Sequence, residues 1–89
     1  MPFNIASYAT LMIMMARECG LEPGIFTHTM GDAHIYLNHI EGLKLQCLRE
    51  PKPLSRLTIA KKPFWDLRYE DFTLEHYVHE PFIKFEVAV

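Results

Sequence analysis

His34 and Tyr36 are the two side chains whose types and spacing point most directly to binding chemistry. They lie two residues apart in residues 25–37, where the apolar pattern predicts a strand broken at Gly31. Both side chains are therefore expected on the same face of that strand. An imidazole and a phenol can each donate or accept a hydrogen bond, so the two side chains can converge on one small polar group. An ordinary half-buried strand face is the alternative that the pair alone leaves open.

No metal site is expected near this pair. The nearby histidines and acids lack the i, i+4 helical spacing of metallohydrolase sites, and no cysteine lies near them. These residues are His28, Asp32, His34 and His39. Cys19 and Cys47 are too few and too far apart for a disulfide framework. Each falls in a predicted helix among apolar neighbours, where a thiol usually packs without reacting, and together they favour a reducing compartment.

A first helix is predicted over residues 4–20, with Asn4 as its N-cap and Gly20 just beyond its last turn. Its apolar residues fall on all sides of a helical wheel, and only Arg17 and Glu18 are expected to face solvent. A helix that is apolar all round needs neighbours all round. The rest of the chain is too small to supply them, which indicates a part of something larger. One small domain wrapped around this helix is the alternative.

The later elements complete the prediction of an α+β fold. A second helix is predicted from Asn38, which can cap it, to about Arg49, where two prolines follow. Short strands are predicted over residues 56–60 and 72–78, joined by a connection rich in aromatic residues. Residues 83–89 form a tail of alternating apolar side chains.

Composition excludes several classes of protein. The chain has 89 residues, of which 49% are hydrophobic and 12% aromatic, so disorder is not expected. A formal net charge of -2 gives no electrostatic reason to expect DNA as a partner. The longest apolar run, residues 5–16, is shorter than the roughly 20 residues that a bilayer requires. Without a basic segment after Met1, we expect a soluble, cytoplasmic protein with no membrane partner.

Three segments taken together resemble the C-terminal part of a thymidylate synthase. They are residues 2–9, residues 31–39, and residues 69–72 with the closing Ile83-Lys84 and Val87-Ala88-Val89. The Arg49-Glu50-Pro51 turn is similar as well, and the order and spacing agree over essentially the whole chain. The resemblance implies that residues 1–89 are the C-terminal portion of a single domain. In it, one long buried helix, a shorter helix and several strands complete a larger sheet.

The resemblance also implies a reaction and its binding residues. Members of the family transfer a one-carbon unit from 5,10-methylenetetrahydrofolate to deoxyuridylate (dUMP) and reduce it, giving thymidylate (dTMP). Asn4 matches the residue that reads uracil, whose N3–H and O4 complement a carboxamide. His34 and Tyr36 match the pair that holds the deoxyribose 3′-hydroxyl. Ala88, with the terminal carboxylate, matches the tail that closes over the folate.

No catalytic residue is expected within this chain. The family's nucleophilic cysteine lies in an upstream Pro-Cys-His segment, and neither Cys19 nor Cys47 matches it. The chain is therefore expected to be truncated at its N-terminal side and inactive by itself. Its partners would be dUMP, folate, and the missing N-terminal half or an intact subunit, in an enzyme that is a homodimer.

Two alternatives stay open at this point. One is a pyrimidine deoxynucleotide hydroxymethylase of the same fold, for which Asn4 disfavours cytosine but permits uracil. The other is an orphan fragment that folds without performing chemistry.

One segment, residues 75–81, departs from the family's usual Glu-Gly-Tyr-Asp-Pro-His-Pro. His76 and His79 replace a turn-forming glycine and proline, and Glu80 replaces the usual histidine. A non-glycine residue is costly where a turn needs positive φ, so this segment raises the question of whether the turn forms.

Overall fold

The protein is described by a computed structural model over residues 2–87, which divide into two compact units. The first unit contains the described residues up to Thr29 together with Arg56–Glu75. The second contains Met30–Ser55 and the described residues from His76 onward. Among residues 2–87, no helix is long and apolar enough to cross a lipid bilayer.

Helix α1 of the first unit spans Pro2–Glu18 and begins two residues before the predicted start. A proline suits the first helical position, because its missing N–H has no partner there in any helix. Asn4 is therefore the third residue of the helix, and the prediction that it is the N-cap is wrong.

The C-terminal end of α1 is a Schellman motif. The Leu21 N–H donates to the Ala16 carbonyl at 2.8 Å, and the Gly20 N–H donates to the Arg17 carbonyl at 3.1 Å. Gly20 has a φ of 67°, a conformation that glycine adopts without steric cost. The predicted position of Gly20 beyond the last helical turn is thus confirmed.

The two sides of α1 differ in exposure. Half-buried residues follow one side of the helix: Ile5, Ala9, Thr10, Met12, Ile13, Met14, Ala16 and Arg17. On the opposite side, Tyr8, Leu11 and Met15 are 63%, 42% and 50% exposed. We call these three residues the apolar stripe, and Asn4 lies one turn before Tyr8 on the same side. No residue of α1 is buried, so the described residues alone do not surround the helix.

Arg17 is half-buried rather than solvated as predicted. Its guanidinium donates to the carbonyls of Ile59 at 3.0 Å and Ala60 at 2.7 Å. The neighbouring Glu18 carboxylate accepts a hydrogen bond from the Phe64 N–H at 3.1 Å. The last turn of α1 therefore supplies both a donor and an acceptor for the backbone that follows the first strand.

The first unit also contains a two-stranded antiparallel sheet, formed by β1 (Arg56–Ile59) and β2 (Phe72–Glu75). The register pairs Arg56 with Glu75 and Ile59 with Phe72. The first strand agrees with the prediction, whereas the second is three residues shorter. This is the one sheet within residues 2–87, so the larger sheet implied by the family resemblance is not formed by the described residues alone.

The connection between the strands is held by Asp71. Its carboxylate accepts hydrogen bonds from Lys62 Nζ at 2.6 Å and from the Arg68 N–H at 2.8 Å. The bond from Lys62, followed by that from Arg68, lowers the pKa of the Asp71 carboxyl below its usual value. Of the aromatic residues in this connection, Phe64 is half-buried, but Trp65 and Tyr69 are exposed.

The predicted strand over residues 25–37 is not formed. Residues 21–36 have no regular secondary structure, although Tyr36 itself has extended dihedral angles (φ -67°, ψ 143°). A strand requires a hydrogen-bonded neighbour, and within residues 2–87 this segment pairs with none.

The helical part of the second unit begins with a 3₁₀ turn, Leu37–His39, and continues as α2, Ile40–Cys47. Asn38 lies inside the turn and does not cap the helix, so that prediction is wrong. The helix ends two residues before Arg49. Both cysteines are exposed, which contradicts their expected packing among apolar neighbours.

His76 has a φ of 57°, in the left-handed region where a residue with a Cβ is strained. It ends β2 after Glu75, and the Val78 N–H donates to the His76 carbonyl at 3.1 Å. The turn that a glycine would make in the family therefore forms here with a histidine, at a steric cost.

Glu80, another departure from the family pattern, has a charged partner. Its carboxylate lies 2.5 Å from Lys52 Nζ. This hydrogen bond and the charge of Lys52 lower the pKa of the Glu80 carboxyl. The replacement of the usual histidine thus creates an ion pair between two segments of the second unit.

Replacing His76→Gly should stabilise the chain. Removing the strain gains about 1–2 kcal/mol, and the extra entropy of glycine in the unfolded state takes back about 0.4–1 kcal/mol. We expect a net gain of about 0.5–1 kcal/mol, measured as a higher urea midpoint at fixed protein concentration. His79→Gly is the matched control and should not stabilise. A lower midpoint for His76→Gly than for the unchanged chain would show that the turn is unstrained, because only the entropy cost of glycine would then remain.

The isolated chain should self-associate through the apolar stripe, because an exposed contiguous apolar surface favours association. We expect the weight-average mass in sedimentation to rise with concentration. Leu11→Lys should reduce this association, whereas Leu54→Lys, at an exposed leucine outside the stripe, should not. A monomer that unfolds in one sharp cooperative transition would contradict this expectation.

Candidate functional site

Asn4 presents its carboxamide to solvent from the first turn of α1. Among residues 2–87 it takes part in no side-chain hydrogen bond, in contrast to Thr10, whose hydroxyl donates to the Ala6 carbonyl at 2.8 Å. With the capping role excluded, the structure shows no internal function for this amide. Its donor and acceptor are both available to a ligand.

His34 and Tyr36 belong to the second unit and lie side by side. Their ring centroids are 5.0 Å apart in an edge-to-face arrangement with an interplanar angle of 77°. Both residues are exposed, so the imidazole nitrogens and the phenol oxygen can reach a ligand. The spacing of two residues brings the rings together even though the segment is not part of a sheet.

Asp32 lies close to this pair. One of its carboxylate oxygens is 3.8 Å from His34 Nδ1, with both side chains largely exposed. Such an exposed contact contributes little stability, since water screens both groups. Asp32 can orient the imidazole of His34, but it leaves the other ring nitrogen available.

His39 has no binding role predicted from the sequence, yet the structure places it beside Tyr36. Their ring centroids are 5.4 Å apart, and on its other side His39 lies 5.1 Å from the ring of Phe85. The one available signal was the spacing of three residues between Tyr36 and His39, which places side chains together across a helical turn. Phe85 could not be found in this way, because it is distant in sequence.

Three predicted features have different outcomes. Ala88, the predicted folate contact, lies outside the described residues. Within residues 2–87, no group of three or more His, Cys, Asp or Glu side chains is arranged to hold a metal ion. Asn4 lies in the first unit, whereas His34 and Tyr36 lie in the second.

The second unit also has an open groove of about 530 Å³. It is lined by Ile35, Ile40, Leu43, Lys44, Cys47 and Leu48. None of the predicted site residues lines it. An apolar groove of this kind lacks the donors and acceptors that a nucleotide requires, so it is not the candidate nucleotide site.

Comparison with known proteins shows one family across the chain. The family model described as thymidylate synthase matches residues 1–89. The human thymidylate synthase is 57% identical over 90 residues, which cover 99% of this chain and 29% of the human protein. The thymidylate synthase of Mycoplasma pneumoniae is 52% identical over 89 residues, covering 99% of this chain and 31% of that protein.

A solved structure has the same fold. Thermostable thymidylate synthase A from Bacillus subtilis superposes with a TM-score of 0.94 at 39% sequence identity, covering 99% of this chain and 32% of that one. The chain thus spans less than a third of the length of each of these relatives. Because the family model matches every residue and two relatives are more than half identical to it, this chain belongs to the thymidylate synthase family.

Proposed function

We propose that residues 1–89 form the C-terminal portion of a thymidylate synthase domain and supply nucleotide recognition and closure of the site. The complete enzyme would transfer a one-carbon unit from 5,10-methylenetetrahydrofolate to C5 of dUMP and reduce it to give dTMP. The observation that carries the proposal is the family match over the whole chain. The placement of three polar side chains supports it.

Asn4 is the proposed reader of the base. Its carboxamide carries an acceptor and a donor side by side, which complement the N3–H and O4 of uracil. Support comes from its position inside the first turn of α1, exposed and without a capping role. Cytosine presents a ring acceptor and an amino donor instead, so the same amide orientation would leave both groups unpaired.

His34 and Tyr36 are the proposed partners of the deoxyribose 3′-hydroxyl. That hydroxyl can donate to one ring and accept from the other, since each ring can take either role. Support comes from their edge-to-face contact at 5.0 Å and the exposure of both rings. The folate would be enclosed by the tail, with Ala88 and the terminal carboxylate nearest to it.

The reactive thiolate is proposed to come from outside this chain. The reaction requires a cysteine that attacks C6 and so makes C5 nucleophilic. Cys19 and Cys47 are exposed residues at the ends of helices and match no catalytic segment of the family. The remaining part of the domain, or an intact subunit of a dimeric enzyme, would supply this group, and the chain alone would be inactive.

Complementation tests the proposal. The chain is produced together with the N-terminal part of human thymidylate synthase that it does not match, and dTMP release is measured. We expect dTMP from the combination and none from either part alone. Release of 5-hydroxymethyl-dUMP instead would favour the hydroxymethylase alternative. If neither product forms with this part or with an intact subunit, the chain is an orphan fragment.

Asn4→Asp tests base recognition in the complemented enzyme. A carboxylate cannot donate to O4 of uracil but can accept from the amino group of cytosine. We expect kcat/KM for dUMP relative to dCMP to fall by on the order of 10–100-fold, the cost of one or two unmade hydrogen bonds. Gln46→Glu makes the same chemical change at an exposed position of α2 and should leave the ratio unchanged. An unaltered ratio in Asn4→Asp would remove Asn4 from the site.

A further inference from the structure

His39 lies between the proposed sugar-binding pair and the C-terminal tail. The half-buried imidazole has the ring of Tyr36 on one side, at 5.4 Å, and the ring of Phe85 on the other, at 5.1 Å. Both contacts are edge-to-face, with interplanar angles of 84° and 65°. Aromatic pairs prefer this geometry because the positive edge of one ring meets the negative face of the other.

The same imidazole is hydrogen-bonded to the backbone of the tail. His39 Nε2 lies 2.5 Å from the carbonyl oxygen of Glu86, 47 residues away in sequence. A carbonyl oxygen only accepts, so Nε2 carries the hydrogen and donates it. Protonation of the other ring nitrogen would leave this bond in place. The tail is thus held by a directional bond as well as by ring packing.

Gly42 provides the space for Phe85. A Cβ built on Gly42 would lie 2.6 Å from Cε1 of the Phe85 ring and 3.4 Å from Cγ2 of Ile83. Contacts of 2.6 Å are not tolerated, so a side chain at this position would displace the Phe85 ring. Gly42 thus leaves space for Phe85, and His39 is bonded to Glu86, so two residues contact the tail at separate points.

We infer that His39 is a positioning residue. Through Tyr36, it couples the position of the tail to binding of the deoxyribose 3′-hydroxyl. The inference rests on the proposed function, which makes Tyr36 a partner of the 3′-hydroxyl and the tail a cover for the folate. A hydroxyl that fixes the Tyr36 ring also restrains the imidazole packed against it, and with it the carbonyl of Glu86. By linkage, a seated tail strengthens sugar binding to the same extent.

Two substitutions at His39 separate the hydrogen bond from packing. His39→Gln keeps an N–H donor near the position of Nε2 but removes the ring, and His39→Phe keeps a ring but removes the donor. The first measurement is the rate at which carboxypeptidase Y releases the C-terminal residues of the 89-residue chain. We expect release about tenfold faster in His39→Phe, the cost of one hydrogen bond, and within about twofold of the unchanged chain in His39→Gln.

The second measurement uses the complemented enzyme. In His39→Phe we expect kcat to fall and the KM for methylenetetrahydrofolate to rise, each by about tenfold, with the KM for dUMP changed by less than about threefold. Binding of dUMP should slow release of the tail in the unchanged enzyme, whereas the 2′,3′-dideoxy analogue, which lacks the 3′-hydroxyl, should slow it less. In His39→Phe the two nucleotides should have equal effects.

Gly42→Ala is an independent test of the tail position. Alanine favours a helix over glycine by about 1 kcal/mol, so the substitution should increase helicity in circular dichroism. It should nevertheless speed release of the tail about tenfold, because Phe85 is displaced. Gly24→Ala is the matched control, with open space around the added Cβ, and should not alter the release rate.

The inference is overturned if His39→Phe releases its tail at the rate of the unchanged chain, or if His39→Gln is as impaired as His39→Phe. Failure of the proposed function gives a different result. In that case no combination forms dTMP, while the release rates of the variants still differ in the 89-residue chain.

Discussion

An uncovered apolar surface is the constraint on which this structure depends. Among residues 2–87 no side chain is buried, and the apolar stripe of α1 faces outward. Burying one such side chain fully contributes about 1.5–3 kcal/mol to the free energy of folding or association. Covering the three residues of the stripe would therefore stabilise α1 substantially. A chain that spans less than a third of its relatives' length lacks the neighbours that would use it. Asn4 continues the stripe, so whatever covers α1 would also surround the proposed base reader.

In the second unit, a few individual contacts hold the tail although little apolar surface is buried. The tail is kept in place by a glycine that allows close approach, by edge-to-face rings and by one hydrogen bond from His39 to Glu86. Each contact is weak individually. Together they place Phe85 in the same cluster of rings as Tyr36, which is the proposed sugar ligand.

The departures from the family pattern have local physical explanations. His76 keeps the left-handed turn that a glycine would make, at the expense of strain, and Glu80 is paired with Lys52. Neither change touches Asn4, His34 or Tyr36. The substituted segment therefore differs from the family pattern in how its backbone and charges are stabilised.

Features that depend on near neighbours could be predicted from the residue pattern. The Schellman end at Gly20 and the adjacency of His34 and Tyr36 each follow from contacts within a few residues. Features that need distant partners could not be predicted in this way. Arg17 meets carbonyls more than 40 residues away, His39 meets the tail 47 residues away, and residues 25–37 find no strand to pair with. A local residue pattern does not specify which distant donor or strand will lie beside it, because that depends on how the whole chain packs.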